Sequence, residues 1–254
     1  MRIRNIGSWL VLVVFASLLP ACGSETPARM NAYLGPAEGK GASSELPSMP
    51  GGKIQAGLLV INDTSAPDSA PALSPEAFAA LSEGIRVQIM NTVPITFVKV
   101  LDNNGIKPNG DTQQIVALAR QEGVSYLMLA ILSSNESEVP TYLPINGIIQ
   151  GGGGPATTPG YEAQNFALAE LALLDGQTGN PLLQTDGRAY ATLYRLNVPT
   201  ESNVYPVVVR ARLFNPIYPQ GNNAHDTLRG IAADDAIKQS VMKLATEWNE
   251  KFAT

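Results

Sequence analysis

The chain has 254 residues, 44% hydrophobic and 15% charged, and its 17 basic against 22 acidic residues leave a net charge of −5. An acidic balance of this kind excludes binding driven by phosphate neutralisation, so no nucleic-acid partner is expected, and it argues against electrostatic adhesion to anionic lipid. Cys22 is the single cysteine and His225 the single histidine, which excludes a disulfide framework and a zinc site built from the usual His and Cys donors.

Residues 1–21 carry three zones: a start with Arg2 and Arg4, the apolar run WLVLVVFASLL over 9–19, and a small-residue exit. The run is shorter than the roughly 20 apolar residues that span a bilayer, so this stretch reads as a cleaved secretory signal. Leu19, Pro20, Ala21 and Cys22 then resemble the bacterial lipobox. That resemblance implies a diacylglyceryl group on the Cys22 thiol, cleavage of the bond before it, and acylation of the new amino terminus. A thiolate suits thioether formation, and three acyl chains exceed the two hydrophobic signals that stable anchoring takes. Gly23 stands where lipoproteins of the inner membrane commonly carry Asp, which by the same resemblance implies the outer membrane. Loss of residues 1–21 removes two arginines and no acid, so 17 basic and 22 acidic residues become 15 and 22, near −7.

Residues 22–53 are rich in Pro, Gly, Ser, Ala and Glu, as in GPAEGKGASSELPSMPGGK, and predict a flexible tether reaching roughly 30 Å. Residues 54–254 are then one periplasmic domain. IQAGLLVIN over 54–62 reads as a buried strand. Ser74 as N-cap, Pro75 and Glu76 in the first turn, and Phe78, Leu81, Ile85 and Ile89 on one face predict a helix ending before Pro94. ITFVKVL from Ile95 is the next strand. Asp111 and Gln114 form a capping-box pattern ahead of a second helix with Ile115, Leu118 and Ala119, closed by Gly123. Residues 124–132 are apolar on both alternating faces and predict a central strand. Strand, helix, strand, helix, strand is the order of an α/β sandwich.

Further along, NFALAELALLDGQTGNPLLQTDGRAYATLYRL predicts two long strands around a turn. YPVVVRARLF predicts one more strand, with Val207, Val209, Ala211 and Leu213 opposite Arg210 and Arg212. Antiparallel pairing of these makes the sheet mixed. A long helix from Ala224 to Phe252 carries the apolar stripe Ile237, Val241, Leu244, Trp248 and Phe252, expected to pack on the sheet. Residues 138–161 and 197–205 are expected as irregular loops. The first holds Tyr142, Leu143, Ile145, Ile148 and Ile149, apolar content that suits a contact surface.

No catalytic constellation emerges. His225 lies at a helix entry beside Asp226 and has no Gly-x-Ser-x-Gly nucleophile elbow to serve. QGGGGP at 150–155 lacks the Gly-Lys-Ser/Thr ending of a phosphate loop. Asp234 and Asp235 point about 100° apart on a helix and read as solvated. DGQTGN, with Asp175 and Asn180, reads as a hairpin connection and not as a calcium loop. Cys22 is therefore the one site residue assigned; no catalytic, cofactor or metal residue is, and an enzyme is not expected.

The lipobox, the tether, the alternating strands and helices and the segment ALAELALLDGQTGNPLLQTDGRAYAT together resemble a group of periplasmic lipoprotein domains. That group includes the outer-membrane activator of penicillin-binding proteins and the curli secretion lipoprotein. The resemblance implies a non-enzymatic binding or assembly factor with an envelope protein as partner. A carboxylate-dependent envelope hydrolase and a subunit of an oligomeric secretion ring are the alternatives. Channel function does not carry over, because a loop broken by Pro and Gly at 138–161 is not expected to supply a pair of membrane-crossing strands of about 9 to 11 residues.

Overall fold

A computed structural model describes residues 26–35, 53–103, 105–110, 112–145, 156–197, 202, 204–211, 213–219 and 223–252. Seven strands form one mixed sheet in the order β2-β1-β3-β4-β5-β6-β7. Their ranges are β1 Ile54–Asp63, β2 Ile95–Leu101, β3 Tyr126–Ile145, β4 Ala156–Asp175, β5 Pro181–Leu196, β6 Val207–Arg210 and β7 Leu213–Ile217. β1 runs parallel to β2 and β3, and every later pairing is antiparallel. Helices cover both faces, which is the α/β architecture expected.

Alternation along the strands explains the layering. Ile54, Ala56, Leu58 and Val60 of β1 join Met128 and Ala130 of β3 in one core, against α2 (Pro75–Thr92) and α4 (Ala224–Phe252). Leu59, Ile61, Leu127, Leu129 and Ile131 point the other way, into a second core under α1 (Met30–Leu34) and α3 (Gln113–Gln121). Period-two side chains on a doubly covered sheet must be apolar on both faces, which is why these strands read as continuous apolar runs.

The helices start and stop for local reasons. Ser74 Oγ accepts from Ala77 N at 3.3 Å and Pro75 opens α2; Ile85 and Ile89 are fully buried, with Phe78 and Leu81 packed beside them. Thr112, not Asp111, is the N-cap of α3 and makes no side-chain cap bond; Asp111 lies outside the described residues. Gly123 follows at φ 68. The stripe Ile237, Val241, Leu244 and Trp248 is buried on the sheet, and the Phe252 ring packs at a tilt against Trp248, 4.8 Å between ring centroids.

Three expectations are corrected. The central strand does not end at Leu132: β3 and β4 are 20 residues each and pair without a break from Tyr126↔Asp175 to Ile145↔Ala156. Much of the region read as a 138–161 loop is thus a hairpin arm, its residues 146–155 lying outside the described ones. Pro140 and Pro144 are tolerated because β1 pairs with β3 only as far as Ser133. Past the bridge from Asn135 to Ser69 and the bond from Ala70 N to Ser134 O, β3 is an edge among the described residues, where a missing outward N–H costs no ladder bond.

YPVVVRARLF is also not one strand. It breaks after Arg210 into β6 and β7, which pair with each other through Val208↔Ile217 and Arg210↔Leu213. Val207 and Val208 are the buried pair, so Val209 does not face the core as the alternation predicted.

Finally, residues 26–35 are not free tether. Met30, Tyr33 and Leu34 are buried to 1%, 3% and 5% exposure in the second core. The Pro- and Ala-rich average of the segment concealed three large side chains at helical spacing.

Candidate functional site

Three groups of polar side chains stand out, and the first holds that N-terminal segment in place. Glu170, on an otherwise apolar stretch of β4, accepts from Arg29 N at 2.6 Å and from Met30 N at 3.0 Å. It thereby serves donors that the short α1 would leave bare. Arg29 Nε donates to Asp63 Oδ2 at 2.6 Å, and Thr26 Oγ1 donates to Phe166 O at 2.6 Å. Arg188 Nη1 closes over the Thr26 carbonyl at 2.8 Å. Burial, with Asp63 nearby, pushes the Tyr33 hydroxyl up to about 12.

The two carboxylates of this strap are pulled in opposite directions. Burial raises Glu170 above its ordinary 4.5, against the lowering effect of the Arg29 and Met30 N–H groups. Burial also raises Asp63, but hydrogen bonds from Ser65 and Arg29 outweigh it and hold the carboxyl below 3.8. For Glu170 the folded chain keeps a proton that the unfolded chain has released. Its contribution is complete below pH 4.5 and declines as pH rises through the raised value. Asp63 contributes above pH 3.8, and that contribution is lost as pH falls through its lowered folded value. Replacing Glu170→Gln should therefore remove a decline of stability above pH 4.5, while the loss on the acid side below 3.8 persists. Urea denaturation across pH 3 to 7 checks this, and a variant profile parallel to the parent would contradict it.

The second group lies on the opposite face, where the entry of α4 meets the hairpin arm. Glu136 faces His225 Nδ1 at 2.8 Å and Arg229 Nε at 2.7 Å. Glu138 faces His225 Nε2 at 3.4 Å and Arg195 Nε at 3.3 Å, and the Arg195 guanidinium stacks over the Tyr161 ring at 4.4 Å. His225 therefore bonds to strand carboxylates and not to Asp226 as its position in sequence suggested. Both ring nitrogens face a glutamate, which leaves neither to activate a nucleophile. Asn165 beneath them is fully buried, and its Oδ1 has no partner among the described residues.

The third feature is a cleft of about 750 Å³ between the start of α2 and the first half of α4. Ala77, Ala80 and Gly230 leave it open, Leu81 and Ile231 give it apolar walls, and Glu76, Asp226, Asp234 and Arg210 border it. Asp234 and Asp235 are not simply solvated. Both contact Arg210 of β6, and Asp234 also binds Lys238 at 2.6 Å. A glycine inside a helix costs about 1 kcal/mol relative to alanine, yet nothing lies within 4 Å of where a Gly230 Cβ would stand. Packing within the domain gives no reason for that glycine.

The remaining sequence candidates are quickly placed. Asp175 Oδ1 accepts from Gln177 N at 2.8 Å and Thr178 N at 2.9 Å, and Gly179 sits at φ 74. DGQTGN is thus the β4–β5 turn. QGGGGP and Cys22 lie outside the described residues. Among the described residues there is no group of three or more His, Cys, Asp or Glu side chains arranged to hold a metal ion, and no helix long and apolar enough to cross a membrane.

No family model matches the chain, and no curated protein matches it. It is similar in structure to a PelC dodecamer from Paraburkholderia phytofirmans, at 10% identity and TM-score 0.36, over 78% of this chain and 91% of that one. A putative neuraminyllactose-binding hemagglutinin homolog from Helicobacter pylori is similar at 9% identity and TM-score 0.36, over 82% and 92%. The hypothetical protein CT253 from Chlamydia trachomatis is similar at 14% identity and TM-score 0.34, over 76% and 96%. Likeness at this distance carries no inference about function.

Proposed function

We propose that this chain is a lipid-anchored envelope protein whose domain acts as a non-enzymatic binding or assembly factor on the periplasmic face of the outer membrane. Cys22 carries the diacylglyceryl and N-acyl groups in this reading, and an envelope protein is the partner. The docking of residues 26–35 is the observation that carries it. With Glu170, Asp63 and Phe166 holding that segment, four residue steps separate Cys22 from Thr26. Fully extended, four steps cover at most about 14 Å. The domain then works close against the leaflet, not tens of ångströms from it. The α2–α4 cleft supports the binding role, since it lies on the sheet face opposite the docked segment.

Two measurements test the reading together. Mass spectrometry of the mature amino terminus should find an N-acylated, S-diacylglyceryl Cys22. A photo-crosslinking residue at the exposed Ala80 should capture one discrete envelope protein in cells; a free or unmodified Cys22, or no adduct from Ala80 or Glu76, would count against it.

A further inference from the structure

We propose that the α2–α4 cleft is a binding site for a cationic group carried on an apolar body, an amine or guanidinium on a hydrocarbon or aromatic stem. Volume comes first: about 750 Å³ lies within the range of sites that enclose small ligands or an anchoring side chain. The walls come second. Leu81 and Ile231 supply apolar surface, while Ala77, Ala80 and Gly230 withhold side chains where the space lies. Gly230 is the sharpest sign, because a Cβ there would meet no described atom within 4 Å and would stand on the lining of the opening.

Charge fixes the ligand class. Among the described residues three carboxylates border the cleft, Glu76, Asp226 and Asp234, against one guanidinium, Arg210. Arg210 is already engaged by Asp234 and Asp235, with its side chain 19% exposed. Asp226 has only a distant ion pair, 3.8 Å from Arg229 Nη1. Asp234 is balanced by Arg210 and by Lys238 at 2.6 Å, so the excess negative charge lies on Glu76 and Asp226, the first-turn acids of α2 and α4, in a partly shielded setting where an incoming cation is attracted more strongly than in open water. An anionic ligand of the same shape would face those two carboxylates, while Arg210, the cation among the described lining residues, is already engaged.

This inference deepens the proposed binding role by naming its chemistry, and it does not need the lipid anchor. The probe pair is 4-phenylbutylamine and 4-phenylbutyrate, which share one apolar body and differ in charge. Each is titrated calorimetrically into the full chain as purified from cells, in phosphatidylcholine nanodiscs if it carries acyl chains and in buffer if it does not, with a protein-free blank subtracted. The amine should bind at least tenfold more tightly than the carboxylate. Gly230→Leu, which fills the cleft, should weaken the amine at least tenfold, and Glu76→Gln with Asp226→Asn should weaken it while leaving the melting profile intact.

Equal binding of the two probes, or amine binding unaffected by Gly230→Leu, would overturn the proposal. So would no binding at all, or a doubled particle mass that Gly230→Leu returns to the single chain, which would give the cleft to a second copy. Each of these outcomes leaves the Cys22 mass and the Ala80 crosslink to be judged separately.

Discussion

Cys22→Ser should abolish membrane association of the chain, with the protein either held as its uncleaved precursor or recovered in the soluble fraction. The expected effect is close to complete, because the acyl chains are the whole of the proposed attachment. Each buried CH₂ contributes about 0.8 kcal/mol, so chains of ordinary length hold the protein far more tightly than any surface contact could replace. With the mature chain near −7, attraction to anionic lipid offers no substitute. Fatty-acid labelling and membrane flotation measure the two consequences independently. Label retained on Cys22→Ser would refute the lipobox reading. Flotation retained without label would mean that the domain itself binds the membrane.

The strap changes what that anchor does. If residues 26–35 hung free, losing Glu170 would leave the anchored domain unaffected. With the segment docked, the distance between the proposed anchor and the sheet would depend on Glu170 and Asp63, and both are titratable. The proposed anchor would thus be coupled to the domain through buried carboxylates as well as through Met30, Tyr33 and Leu34 in the second core.

Periodicity made the framework of the fold legible. The first strand, α2 with its Ser74 cap, and α4 with its stripe follow from side-chain spacing, because each buries one well-defined face. What escaped had specific causes. Pro140 and Pro144 look like breakers until it is known that β3 has no outer partner among the described residues past its bridge from Asn135 to Ser69, and Pro159 on β4 until it is known that β5 ends at Leu196, both non-local facts. The docked segment was hidden by averaging composition over 22–53. A signal for it did exist: Glu170 is an acid in the apolar run ALAELALLD, and a buried acid needs donors from elsewhere in the chain. Glu136 and Glu138 stand two apart, hence on one face of β3, a second signal that is masked because the sequence from Glu138 onward reads as a loop. Only the fold could show that their partners would be His225 with Arg229 and Arg195. The cleft was not legible at all, since its walls come from helices about 150 residues apart in the chain.

Gly187→Ala should destabilise the domain by about 3 kcal/mol, at the upper end of the overpacking range. Gly187 is on β5, paired with Ala169, at the point where α4 crosses the sheet. A Cβ there would overlap the Ala236 carbonyl oxygen and stand 2.5 Å from Ser240 N. Both are backbone atoms, so no side-chain rotation relieves the collision. Helix and strand would have to separate, and Thr185 Oγ1, which donates to Ser240 O at 3.1 Å, resists that movement. For a domain of this size the loss corresponds to a fall in Tm of roughly 6 to 12 °C. Gly230→Ala is the matched control on the same helix, where a Cβ meets nothing and the gain in helix propensity is about 1 kcal/mol. The two substitutions should thus move the urea midpoint in opposite directions. A neutral Gly187→Ala would mean that α4 does not cross β5 at Ala236 to Ser240, and the packing of the whole α2–α4 layer, cleft included, would have to be redrawn.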